Sequence, residues 1–174
     1  KALNCQKDHT EPCDECEACL KIEKNIHPDV YWVEKERQEI KIEAIRNLKE
    51  RINLKPYEAK KKAFIINDAE DLNDESTNAL LKVLEEPPRD SVLILIACDK
   101  SRIYQTIISR CQKVNFVPLD INKLKDLLSK VYKTDNDYAH FLSCISEGRL
   151  GFALRIKDKY SLRQKNKLLD EILN

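Results

Sequence analysis

Glycine is nearly missing. The 174 residues hold only two, Gly148 and Gly151. A phosphate-cradling loop of the Walker A or dinucleotide type needs clustered glycines ahead of a helix, so no such loop lies in this stretch. Methionine is absent and the first residue is Lys1, from which we expect a piece of a longer chain whose true start lies upstream. No apolar run approaches the ~20 residues of a membrane-spanning helix, and no signal-peptide pattern occurs. Charge of one sign is missing too: 31 basic and 30 acidic residues leave a net +1, which argues against a uniformly basic nucleic-acid binder. What is abundant is charge of both signs, 35% of residues against about 25% in an average domain. Helices with charged outer faces give such a composition. The length suits one or two domains with a real core.

Seven cysteines are present, and four of them, Cys5, Cys13, Cys16 and Cys19, fall close together with intervals of seven, two and two residues. Cys-x-x-Cys steps turn two thiolates onto one small cation, and four thiolates complete the tetrahedral shell of a structural zinc. A disulfide pair would suit a secreted chain better. An iron–sulfur cluster also takes four cysteines, but the Cys-Pro expected three residues on is replaced by Glu23-Lys24. Zinc is the preferred reading, with the other two behind it. Four cysteines leave no open coordination position, so such a metal is structural and would fix a loop poor in apolar residues. Cys98, Cys111 and Cys144 read as small core residues.

Along the chain, short apolar runs alternate with amphipathic segments. Strands are expected at 30–33, 63–66, 91–97 and 113–117, with 91–97 (SVLILIA) as the central one. Helices are expected to end near 20–25, and to span 41–54, 75–86 (stopped by Pro87-Pro88) and 103–110. That alternation indicates an α/β fold with a parallel sheet flanked by helices. Around Pro118 the pattern changes, and 121–132, 138–146 and 149–158 are expected to be helical with no further strand. The expected domains are therefore 1–118, with a metal module at about 5–19, a small helical domain at 119–158, and the start of another helical segment at 159–174.

The stretch Asn78-Ala79-Leu80-Leu81-Lys82-Val83-Leu84-Glu85-Glu86-Pro87-Pro88, followed by Ser109-Arg110-Cys111 and preceded by the cysteine cluster, resembles the bacterial sliding-clamp loaders, the AAA+ subunits of the DNA polymerase III holoenzyme. The resemblance runs from Cys5 to at least Phe152. It implies a RecA-like α/β domain with a zinc-module insertion, a helical lid and a C-terminal helical collar. It also implies that the family's phosphate loop lies ahead of Cys5, and a cytoplasmic, replisome-associated location without a membrane.

The family contains ATP-hydrolysing tau/gamma motors and a delta-prime type that does not drive hydrolysis. Aligned without gaps from Asn78, the motors' Walker B Asp-Glu pair falls on Asn67-Asp68. An uncharged amide is a poor Mg²⁺ partner, and Asp68 is one methylene shorter than the glutamate that polarises the attacking water; with the alignment shifted by one residue, Asp68 would itself be the magnesium ligand. The lid arginine that touches the γ-phosphate in motors falls on Gly151, and Arg149, two residues earlier, would point about 200° away on a helix. The polar first-sensor position falls on Cys98, a weak hydrogen-bonding group. These degraded positions, and His27-Pro28-Asp29 after the metal module, resemble the delta-prime type. The resemblance then assigns Arg110, in its Ser109/Cys111 setting, as an arginine finger reaching ATP held by a neighbouring subunit. The plain alternative for Arg110 is a helix C-terminal cap. Implied partners are the tau/gamma and delta subunits and, through the complex, the sliding clamp and primer-template DNA. An active tau/gamma ATPase and, remotely, a zinc-containing nucleic-acid-binding module are the competing readings. Lys60–Lys62 and 155–167 read as solvated basic faces, His9, His27 and His140 as non-catalytic, and Trp32 as core.

Overall fold

The computed structural model describes residues 1–7 and 10–159. Among these, three short strands form one parallel sheet: β1 (Val30–Val33), β2 (Lys62–Ile66) and β3 (Ser91–Leu95), in the order β1-β2-β3. The register pairs Trp32 with Ile65 and Ile65 with Ile94. Parallel neighbours need crossovers. These are α2 (Ile42–Ile52) between β1 and β2, and α3 (Asp74–Glu85) between β2 and β3. Helix α1 (Glu17–Glu23) precedes the sheet, and α4 (Gln105–Ile108) follows it.

Helix α2 forms because Ile45, Leu48 and Ile52 recur on one face, and all three are buried. Helix α3 starts where the Asn73 side chain accepts the Ser76 N–H at 2.9 Å, an N-cap bond. It ends ahead of Pro87, which cannot continue a helix. Ser76 is buried inside it and donates its hydroxyl to Ile40 O at 2.7 Å, tying α3 to the chain ahead of α2. The core of this unit gathers Val33, Ile40, Ile45, Leu48, Phe64, Ile66, Leu80 and Ile107.

The chain divides into two compact units, Lys1–Lys113 and Val114–Asn174. The second consists, within the described residues, of α5 (Ile121–Lys130), α6 (Asn136–Ile145) and α7 (Leu150–Lys159) around Leu124, Leu128, Tyr138, Ala139, Leu142 and Ala153. Asp120 and Asp135 cap α5 and α6 by accepting backbone N–H groups of the first turn. The expected segment at 159–174 lies, beyond Lys159, outside the described residues.

The structure corrects four expectations about the strands, Trp32 and the lone cysteines. Residues 113–117 are not a strand: Val114, Phe116 and Val117 are 70%, 93% and 79% exposed, and apolar β-formers pair only when a neighbouring edge is present. The strand at 91–97 is shorter and lies at the edge of the described sheet, with Ile94 and Ile96 exposed; β2 is central and the most buried. Trp32 is 48% exposed rather than core, because it lies on an edge strand. Cys98 and Cys144 are exposed and Cys111 is half-buried, so only the last approaches the small-core role.

Candidate functional site

The cysteine cluster assembles as expected. The Sγ atoms of Cys5, Cys13, Cys16 and Cys19 all lie within 4.8 Å of one another, with Cys5 and Cys19 buried and the other two half-buried. Asp14 adopts a left-handed conformation, φ 55°, which turns the chain back so that the Cys16 N–H donates to Cys13 Sγ at 3.3 Å. Cys16 is the N-cap of α1 and Cys19 lies in its first turn, so both thiols sit at the helix N-terminus, where anionic groups are favoured. Backbone N–H groups of Gln6 and Cys19 hold the Cys16 thiol down at about 6. The N–H groups of Cys13 and Lys7 lower Cys5, whereas burial pushes Cys19 up to about 11.

A tetrahedral zinc–thiolate site, with Zn–S of about 2.3 Å, needs sulfurs roughly 3.8 Å apart. The four thiols converge closely enough for one ion. All seven cysteines are free thiols. An iron–sulfur cluster is several atoms wide and would hold the sulfurs farther apart than a single ion does. The donor set and spacing therefore fit one soft cation.

Three of the motor-equivalent positions come together at the C-terminal ends of β2 and β3. Asn67 extends the ladder by donating its N–H to Val33 O at 3.0 Å. Asp68 follows in a left-handed conformation, φ 52°, and leads into a single turn, Ala69–Asp71. That turn is tied to the end of β3: the Ala69 N–H donates to Ile96 O at 2.9 Å, and the Cys98 N–H to Glu70 Oε1 at 3.0 Å. The Lys35 ammonium, just past β1, lies 3.2 Å from Asp68 Oδ2 and 2.9 Å from Asp71 Oδ2. Arg102 Nη2 reaches Asp71 Oδ1 at 2.8 Å. The Lys35 hydrogen bond holds the Asp71 carboxyl below its usual range. Asp68 and Asp71 are thus paired with side-chain cations, whereas Glu70 keeps one buried carboxylate oxygen without a partner.

Arg110 lies just past α4. Its Nη1 donates to Thr106 O at 2.9 Å, a helix C-terminal cap, and its Nη2 meets Glu85 Oε1 of α3 at 2.7 Å. Ser109 donates its hydroxyl to Thr106 O at 3.1 Å, and Cys111 packs against the core. Gly151 belongs to the helical unit, in the first turn of α7, and a Cβ there would meet nothing within 4 Å. An arginine at 151 would meet no steric bar at its Cβ.

The profile of the family described as "DNA polymerase III, delta subunit" matches residues 1–120. The chain belongs to the DNA polymerase III clamp-loader family. Among its members it is most like delta-prime. The delta-prime subunit of Bacillus subtilis is 38% identical over 128 residues, 74% of this chain and 39% of that protein. The tau subunit of Escherichia coli is 30% identical over 166 residues, 91% of this chain and 26% of that protein. A gamma subunit-related protein of Thermotoga maritima has a solved structure with TM-score 0.62 and 28% identity, covering 78% of this chain and 46% of that one. The RuvB Holliday-junction branch-migration motor of T. maritima matches at TM-score 0.56 and 13% identity, over 80% of this chain and 47% of that one; at that identity it speaks for the AAA+ fold alone. The chain spans less than half the length of each of these relatives.

Several residues that shape this fold carry no local signal in the sequence. Asp29, noted in the sequence only within His27-Pro28-Asp29, is buried and accepts the N–H groups of Tyr57, Glu58 and Ala59 at 2.8, 2.8 and 2.9 Å. Burial raises its carboxyl, but those N–H groups and nearby His27 outweigh it and leave Asp29 below its usual range. Lys62, assigned to a solvated basic face, is buried instead, its ammonium donating to Leu54 O at 2.7 Å and to Arg51 O at the end of α2. Burial lowers its pKa. Nothing in the spacing of either residue distinguishes it from a surface charge.

Proposed function

We propose that this chain is the central part of a delta-prime-type subunit of the clamp loader. On this reading it has no productive ATPase, and it completes the ATP site of an adjacent tau/gamma subunit through Arg110. Residues 1–118 belong to the nucleotide-binding-type AAA+ domain and 119–158 to the lid. Cys5, Cys13, Cys16 and Cys19 hold one structural zinc. Tau/gamma, delta, the sliding clamp and primer-template DNA are its partners, in the cytoplasm. Among the described residues no helix is long and apolar enough to cross a membrane.

The observation that carries the reading is the strand-end cluster. Phosphoryl transfer needs a free carboxylate for Mg²⁺ and a second group to orient the attacking water. Here position 67 is an amide, position 98 a cysteine, and Asp68 is paired with Lys35. Arg110 supports the second half: a planar, always-charged guanidinium suits a γ-phosphate, and its present partner Glu85 is half-exposed, so the ion pair is worth only about 0–1 kcal/mol and opposes redeployment weakly. Hydrolysis of Mg-ATP by the isolated full-length protein tests the first half. Turnover at motor-like rates would contradict the reading.

A tau/gamma-type ATPase is the second reading, favoured by the tau match over 91% of the chain. The same hydrolysis assay separates the two.

A further inference from the structure

Cys5 differs from its three companions. Cys13, Cys16 and Cys19 are delivered together by one turn and the start of α1, whereas Cys5 arrives from a separate segment after the single turn Ala2–Asn4. Exposed ion pairs of Lys1 with Asp14 and Glu23 and of Lys7 with Glu15 link its segment to the other three, but none of them is buried beside the thiol. The adjacent, buried residue makes a long-range contact. Asn4 is 5% exposed; its Nδ2 donates to Lys61 O at 2.9 Å, and its Oδ1 accepts the Lys61 N–H at 3.1 Å. One side-chain amide thus satisfies both backbone groups of a residue 57 positions away, as a neighbouring strand would.

The anchor it grips is itself held. Lys61 leads into β2, and residues 57–59 just before it are bound by the buried Asp29 carboxylate. From the other side of the cluster, Lys21 of α1 reaches Glu58 at 2.8 Å. The two halves of the thiol set therefore rest on the same segment, 57–61.

We infer that Asn4 is a positioning residue of the metal centre: its amide, locked to Lys61, presents the Cys5 thiol to the ion held by Cys13, Cys16 and Cys19. This rests on the four-cysteine metal reading. Residues that orient metal ligands without touching the ion typically change affinity by about 10–100-fold.

The test is zinc affinity of the full-length protein, measured by competition with a chromophoric chelator, for wild type, Asn4→Ala and Asn4→Asp. Cobalt(II) absorption serves as a second readout of how many thiolates bind. The expected result is a zinc Kd about 10–100-fold weaker for Asn4→Ala, with a cobalt spectrum showing fewer than four thiolates. Asn4→Asp keeps an acceptor for the Lys61 N–H but sets a carboxylate oxygen against Lys61 O, and should bind zinc at least as weakly as Asn4→Ala. If neither variant folds, Asn4→Ser, whose hydroxyl can donate or accept, carries the comparison. Should wild type bind no zinc, the metal reading falls. If wild type binds and the variants match it in Kd and spectrum while melting lower, Asn4 is only a structural tie and the inference is overturned.

Discussion

Arg110 and Glu85 form an ion pair, Nη2 to Oε1 2.7 Å, that joins the chain after α4 to the C-terminal end of α3. The same guanidinium caps α4 through Thr106 O. The cap and the finger are therefore compatible roles: the first describes Arg110 within the chain, the second its proposed use across an interface. Because both partners are half-exposed, Glu85→Ala should change the unfolding free energy of the full-length protein by no more than about 1 kcal/mol in denaturant titration.

The strand-end carboxylates should respond to Lys35. Asp71 has its carboxyl lowered, first by the Lys35 hydrogen bond. A depressed carboxyl contributes stability that is present above its unfolded pKa and lost as pH falls through the folded one. Lys35→Ala should therefore raise the Asp71 carboxyl back toward the usual carboxylate range, followed by NMR titration of the side chain, and should weaken acid sensitivity in that window. An unchanged Asp71 titration would show that Arg102 suffices.

Asp29 should matter far more to stability. Removing its carboxylate strands three backbone N–H groups near the start of β2. Asp29→Ala is expected to destabilise the protein on the order of 3 kcal/mol. Its lowered carboxyl places its contribution above pH ~4, to be lost as acid protonates it. Asp29→Asn should accordingly flatten the acid limb of the stability–pH curve.

The two glycines should part company. Gly148 has φ +80°, and a Cβ there would lie 2.0 Å from Leu119 O, backbone against backbone. Gly148→Ala should destabilise the helical unit by more than ~1 kcal/mol. Gly151 faces open space in the first turn of a helix, so Gly151→Ala should be neutral or stabilising by up to about 1 kcal/mol. Thermal melts of the two variants side by side check both.

Elements with strong local patterns were readable in the sequence. Strand β1 occupies the expected 30–33, and α2 and α3 fall within two residues of their expected ends, because apolar spacing and the Pro87-Pro88 stop are local signals. The cysteine cluster was legible for the same reason: its spacing is its chemistry. Pairing was not. Residues 113–117 have strand composition but no neighbouring edge, and SVLILIA reads as central although β2 is. Long-range polar ties were invisible as well. Asn4, Asp29, Lys35 and Lys62 act across 57, 28–30, 33–36 and 8–11 residues, and nothing near each in sequence announces its partner.

Arg110 is proposed to act on a neighbour's ATP. The most direct measurement is DNA-stimulated ATP hydrolysis by a reconstituted clamp loader carrying Arg110→Ala in the full-length subunit, with assembly verified by size. The expected result is an intact complex whose hydrolysis at the adjacent site falls on the order of 10³-fold or more, together with lost clamp loading. Hydrolysis and loading at the wild-type rate in an intact complex would contradict that role and leave Arg110 as the helix cap it forms with Thr106.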